Sequence, residues 1–264
     1  MPTDTALPEL DAAMAQQAIA QLADYPPLIH CITNTVVQNF TANLLLAAGA
    51  IPAMIIDPSE CQEFAPIADG LLVNVGTLHH EDCPTYYHAA ENANRFAKPW
   101  VLDPVAVGGL TLRTEFCRKL LSLTPSVIRG NASEISVLAG ETTGGRGPET
   151  QLSADQALDA ARKLAKTIEG IVVVTGEVDL ITDGERTLKV SGGSVLATRV
   201  TGAGCALSAL CAAFASLAGD RLSNVASACW MLSRAAEFAA RQAAGPGTFA
   251  LHLLDGLAQQ REAK

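Results

Sequence analysis

Short, continuously apolar runs that end on a polar residue recur through the first two thirds of this chain. Residues 28–31 run into Thr33-Asn34, Leu71-Leu72-Val73 into Asn74, and Trp100-Val101-Leu102 into Asp103; residues 126–129 end on Arg129, and Ile171-Val172-Val173-Val174 ends on Thr175. Between them apolar residues return at three-and-four spacing, which predicts helices over 9–22, 36–48, 81–97, 112–123, from Asn131 onward, and 154–168. Strands apolar on both faces and alternating with helices imply a mostly parallel sheet covered on both sides, a three-layer α/β fold. A further strand is expected over 51–56, and Asp183-Gly184 between Leu180-Ile181 and Thr187-Leu188 signals a hairpin. From Ala203 on, the chain reads as three Ala-rich helices parted by Gly219-Asp220 and Gly245-Pro246-Gly247. No linker or repeat interrupts the pattern, so residues 1–264 are expected to form one domain, with residues 1–8 a loose leader. Ligands of such sheets bind beyond the carboxyl ends of the strands. Thr33, Asn34, Asn74, Asp103, Arg129 and Thr175 should therefore gather along one edge.

The formal charge of -9 argues against nucleic acid or an anionic membrane as partner. Any anionic ligand must then be held by a local device. The cysteines, at 31, 61, 83, 117, 205, 211 and 229, form no C-x-x-C pair and suit a reduced cytoplasmic protein without disulfides. No apolar run reaches the length of a membrane span, and no secretory signal pattern opens the chain.

One such local device is Thr201-Gly202-Ala203-Gly204-Cys205, a Gly-x-Gly turn opening into a helix. The first amides of a helix are unpaired and carry the positive end of its dipole, which suits a phosphate or a developing oxyanion. Gly202, Ala203, Gly204 and Cys205 thus form a candidate anion hole. Cys205 in that field is expected to have a lowered pKa; a small buried residue at a helix start is the alternative. Asp103, before Pro104, and Glu134, three residues after Asn131, would separately be read as a cap or a solvated face. Beside a phosphate site they suit Mg²⁺, which takes one or two carboxylates and keeps waters and phosphate oxygens. Anion hole, carboxylates, Arg129 and a base candidate make the inventory of phosphoryl transfer. No G-x-x-x-x-G-K-[ST] loop is present.

These residues carry a resemblance. The chain resembles the hydroxyethylthiazole kinase family of ribokinase-like enzymes over about residues 28–256. The match rests on His30-Cys31-Ile32-Thr33-Asn34, Gly49-Ala50-Ile51-Pro52-Ala53-Met54, Leu102-Asp103-Pro104-Val105, Arg129-Gly130-Asn131-Ala132-Ser133-Glu134, Val174-Thr175-Gly176, and Thr201-Gly202-Ala203-Gly204-Cys205. Cysteine closing the last turn is the discriminating letter. The resemblance implies a ribokinase-like three-layer fold and ATP- and Mg²⁺-dependent phosphorylation of 4-methyl-5-(2-hydroxyethyl)thiazole in thiamine synthesis or salvage. It also implies roles: Cys205 as catalytic base, Asn34, Met54 and Gly202 at the substrate, Arg129 and Thr175 at ATP, and Asp103 and Glu134 near Mg²⁺. It further implies a homotrimer with sites between subunits.

Other residues read more plainly. His79-His80 with Cys83 lack a second ligand pair at zinc spacing and are expected to be solvated or capping. His30 and Cys31 are strand neighbours and should face opposite ways. Cys211 and, without the resemblance, Met54 read as core; Arg146, in the Gly-rich loop 142–148, takes no role. The rival readings are a same-fold kinase of hydroxymethylpyrimidine or pyridoxal, a thiol acyltransferase or hydrolase, and a non-catalytic nucleotide-binding module.

Overall fold

A computed structural model describes residues 7–141 and 154–262. In chain order it contains α1 (Ala12–Asp24), β1 (Leu28–Ile32), α2 (Gln38–Ala48), β2 (Ile51–Ala53), α3 (Pro58–Phe64), β3 (Gly70–Asn74), α4 (Cys83–Arg95) and β4 (Trp100–Asp103). These are followed by α5 (Thr111–Leu121), β5 (Val127–Asn131), α6 (Ala132–Leu138), α7 (Ala154–Ile168), β6 (Ile171–Thr175), β7 (Val178–Thr182) and β8 (Thr187–Ser191), then α8 (Ala203–Ala215), α9 (Arg221–Gln242) and α10 (Pro246–Glu262). The strands form one sheet in the order β2-β1-β3-β4-β5-β6-β7-β8. It is parallel from β2 to β6 and closes with the antiparallel ribbon β7–β8. No described helix is long and apolar enough to cross a membrane.

Two apolar layers sandwich the sheet, and the two-residue period of a strand divides its side chains between them. Leu72, Val101, Val127 and Val173 pack with α8 and α9, whereas Val73, Leu102, Ile128 and Val172 pack with α4 to α7. Counting on by two along β3 to β6 brings Asn74, Asp103, Arg129 and Thr175 onto the α8 face. Helix α8 is buried along nearly its whole length. The order 2-1-3 makes the chain reverse direction between β1 and β3, a switch point where the carboxyl ends of those strands leave a crevice.

The predicted elements form, with local differences. Strand β2 stops at Ala53 rather than residue 56, because Asp57 and Pro58 open α3, a helix the apolar spacing does not announce. Its sequence signal is an Asp N-cap followed by Pro at the first helical position. Helix α1 starts only at Ala12, capped by the Asp11 carboxylate. The preceding residues instead run along β8: Lys189 donates its N–H to the Pro8 carbonyl at 3.0 Å, and Glu9 bridges Lys189. The end of the expected leader is therefore tied down. The Gly-rich loop 142–148, with Arg146, lies outside the described residues.

Candidate active site

The site is built on the turn before α8. Gly202 is the N-cap residue, with φ of +95°, and a Cβ there would come within 2.8 Å of Val37. A side chain is thus barred twice, by backbone conformation and by space. Ala203 donates its N–H to the Val200 carbonyl at 3.3 Å, and no partner among the described residues accepts from Gly204 or Cys205. These two N–H groups are the open donors of the candidate anion hole.

The strand-end side chains meet beneath that turn. Asn34 donates its amide N–H to Asn74 Oδ1 at 3.0 Å, and Asn74 donates to Asp103 Oδ2 at 2.6 Å. Ser208, one turn into α8, donates to the same Asp103 oxygen at 2.9 Å. Asn34 Nδ2 also lies 3.5 Å from Cys205 Sγ. All of Asn34, Asn74, Asp103 and Ser208 are buried. Beside them Arg129 donates to Thr175 Oγ1 at 2.6 Å, while its guanidinium lies against the bare Cα of Gly204. Arg129 Nε, also buried, has no partner among the described residues. Thr33 sits at the same edge, but among the described residues its hydroxyl has no partner and joins no part of the cluster.

Electrostatics correct one expectation. The Cys205 thiol is not depressed; burial, then the Asp103 carboxylate, push it up to about 11, against the opposing pull of Asn74, Arg129 and Asn34. A helix N-terminus lowers a thiol pKa only when it outweighs desolvation and a nearby anion. Burial likewise raises Asp103 and Glu134, with Arg129 working to lower each.

The donor set fits Mg²⁺. Glu134 forms the reciprocal cap with Asn131, taking the Asn131 N–H on Oε2 at 2.9 Å, and takes the Ala106 N–H on Oε1 at 3.0 Å. Each Glu134 oxygen keeps a lone pair. The charge of Asp103 acts on Glu134, and both carboxylates act on Arg129. No group of three or more His, Cys, Asp or Glu among the described residues could cage an ion.

Two partners of this cluster carry no role in the sequence reading: Ser208, the polar residue of the Ala- and Leu-rich start of α8, and Asp179. The Asp179 carboxylate accepts from the Gly176 N–H at 3.1 Å and lies within the field of Arg129. His79, Cys31 and Cys211 behave as expected. His79 caps the short turn His80–Asp82 reciprocally with Asp82, Cys31 faces away from His30 into the α8-side core, and Cys211 is core. A hollow of about 490 Å³ between the 7–11 segment and the β7–β8 turn shares no residue with the cluster.

A mostly parallel sheet with polar groups gathered at its switch point, beside a buried helix opened by a Gly-x-Gly turn, has the architecture of the ribokinase-like fold. An ADP complex of Bacillus subtilis pyridoxal kinase superposes with a TM-score of 0.60 at 17% identity, covering 80% of this chain and 91% of that one, which shows the shared fold. The profile of the Hydroxyethylthiazole kinase family matches residues 19–262. A hydroxyethylthiazole kinase of Klebsiella pneumoniae is 58% identical over 239 residues, 90% of this chain and 93% of the relative. The structure of the Pyrococcus horikoshii hydroxyethylthiazole kinase superposes with a TM-score of 0.86 at 38% identity, covering 94% and 93% of the two chains. The chain belongs to the hydroxyethylthiazole kinase family and is an enzyme, a phosphotransferase.

Proposed function

We propose that the chain transfers the γ-phosphoryl group of ATP to the hydroxyl of 4-methyl-5-(2-hydroxyethyl)thiazole, a step of thiamine synthesis, with Cys205 as proton acceptor. The observation that carries the assignment of residues is the chain Asn34–Asn74–Asp103, which meets the Cys205 thiol through the Asn34 amide at 3.5 Å. The alcohol oxygen bonds to Pγ as the bond from Pγ to the β,γ-bridging oxygen breaks; ADP leaves and the alcohol proton passes to Cys205 Sγ. The N–H groups of Gly204 and Cys205 and the Arg129 guanidinium face the charge that develops on the phosphoryl oxygens, the main source of acceleration in such transfers. Arg129 and Thr175 bind ATP, Asn34, Met54 and Gly202 the thiazole alcohol. Asp103 and Glu134 would hold Mg²⁺ through water, and the ion would supply charge neutralisation at the phosphate oxygens.

The thiolate of Cys205 is the minor form at neutral pH, and its fraction grows as the charge on Asp103 is answered. The partners of Cys205 are an amide and a carboxylate environment, and no imidazole touches it among the described residues. A covalent thiol mechanism, which relies on an adjacent base, has no such support here. We read residues 1–264 as one cytoplasmic domain that assembles as a homotrimer with sites between subunits. Supporting this, Leu46, Ile51, Ile56 and Ile67 are exposed on the segments around the open β2 edge. Light scattering of the purified protein reads the assembly.

The activity is tested by ADP release with thiazole alcohol, hydroxymethylpyrimidine and pyridoxal compared in one assay. Release stimulated only by the thiazole alcohol is expected. Equal or greater stimulation by either other alcohol overturns the substrate, and release independent of any acceptor overturns the kinase reading.

A further inference from the structure

His30 is buried and the reaction does not use it, yet its side chain ties down the segment that carries Met54. In the sheet His30 is the register partner of Ala53, the last residue of β2. Its ring Nε2 lies 2.9 Å from the Ile55 carbonyl. A carbonyl only accepts, so Nε2 carries the proton and His30 is the Nε2–H tautomer. The pairing of β1 with β2 thus fixes residue 53, and the His30 side chain fixes residue 55, with Met54 between them.

The arrangement is reinforced around the ring. Cys61, in α3, donates its S–H to the same Ile55 carbonyl at 3.5 Å and lies 3.7 Å from His30 Nε2. Phe64 meets the imidazole edge-on with ring centroids 5.4 Å apart. Burial lowers the His30 pKa, so the ring stays neutral and keeps that tautomer at physiological pH. Met54 itself packs against the α8-side core. A flexible thioether makes an imprecise wall unless its backbone is fixed.

We propose that His30 is a specificity-determining positioning residue: through the Ile55 carbonyl it sets where Met54 stands as a wall of the acceptor pocket. This rests on the reading of Met54 as a thiazole contact. The bond belongs to the acceptor side of the crevice, so its loss weakens binding of the thiazole alcohol and leaves ATP binding alone.

The test is steady-state kinetics with each substrate varied at saturation of the other. His30→Leu and His30→Phe remove the donor. Each should raise KM for the thiazole alcohol about tenfold, the size expected for one lost buried hydrogen bond, with kcat and KM for ATP within about twofold of wild type. His30→Gln, whose amide can donate to the same carbonyl, should return that KM to within about threefold. Should neither donorless variant fold, Cys61→Ala decides, with about a two- to threefold rise in the same constant alone. An unchanged thiazole KM, or a joint rise of both KM values with a fall in kcat, overturns the inference. Met54→Ala separates the two ideas. If it raises the thiazole KM while His30 variants do not, only the role of His30 falls; if it leaves that KM unchanged, the reading of Met54 falls and this inference with it.

Discussion

Gly204 and Arg129 are in contact so close that a methyl group on the glycine would sit 2.9 Å from Nη1 and 3.1 Å from Nη2. A side chain at residue 204 would therefore push the guanidinium away from the start of α8. Both its orientation, through Thr175, and its access, through Gly204, come from elements distant in sequence.

Gly204→Ala should displace Arg129 from the phosphate side without unfolding the helix, since alanine is a good helix former. KM for ATP is expected to rise about tenfold or more as a charge-assisted contact is lost, while KM for the thiazole alcohol stays within about twofold. Initial-rate kinetics over both substrates check this. An equal rise in both constants would detach Arg129 from the nucleotide.

Cys205→Ala should lower kcat by about 10²–10⁴-fold at saturating substrates and leave residual turnover, because positioning and charge stabilisation remain. With the thiol pushed up to about 11, the thiolate fraction of the unliganded enzyme grows about tenfold per pH unit below that value. Wild-type kcat/KM should accordingly rise from pH 6 to pH 9. Cys205→Asp should retain activity, a carboxylate replacing the thiolate, and lose that alkaline rise. A pH–rate profile identical in wild type and Cys205→Asp would remove the proton from Cys205.

Asp179 gives a stability test independent of turnover. Burial, opposed by the Gly176 N–H and by Arg129, raises its carboxyl from 3.8 to about 6. A folded value above the unfolded one means that its stabilising contribution is full below about pH 4 and is lost as pH rises through 6. Asp179→Asn keeps an acceptor for Gly176 and removes the buried charge. It should be more stable than wild type by about 1–3 kcal/mol at pH 7, with the two curves meeting near pH 4. Urea denaturation at both pH values measures the difference.

Glu169 closes α7 in the left-handed region, at φ of +52°, and Gly170 then donates back to the Ala165 carbonyl at 3.1 Å. Glycine is the residue such a cap favours. Glu169→Gly should stabilise the fold by about 1 kcal/mol, the cost of holding an L side chain there, with kinetics unchanged. Thermal and urea melts check it.

Much of this site is legible in the sequence because a strand end is a strong signal. Asn74, Asp103 and Thr175 each terminate an apolar run, and strand periodicity alone places them on one face. Arg129 follows the same rule from inside its strand. What escapes is the meaning of partners whose sequence context is ordinary. Ser208 is one hydroxyl in an apolar helix, and nothing local says that it faces a carboxylate 105 positions away. The thiol of Cys205 misleads for the opposite reason: its local context is a helix N-terminus, while its pKa is governed by burial and by Asp103 from another element. Helix α3 is short and carries one buried residue, so it lacks the apolar stripe that announces longer helices.

The single amide of Asn74 spends its oxygen on Asn34 and the Gly76 N–H and its nitrogen on Asp103. An amide cannot be turned to suit one neighbour without reversing donor and acceptor toward the other. A lineage that altered its preferred alcohol by changing Asn34 would therefore disturb the phosphate end in the same mutation. The Met54 segment lies outside that linkage. With Asn34 and Met54 at the acceptor as proposed, acceptor preference can drift along the β2–α3 connection, while the Asn34 side of the crevice is held still by the bonds it shares with Asn74 and Asp103.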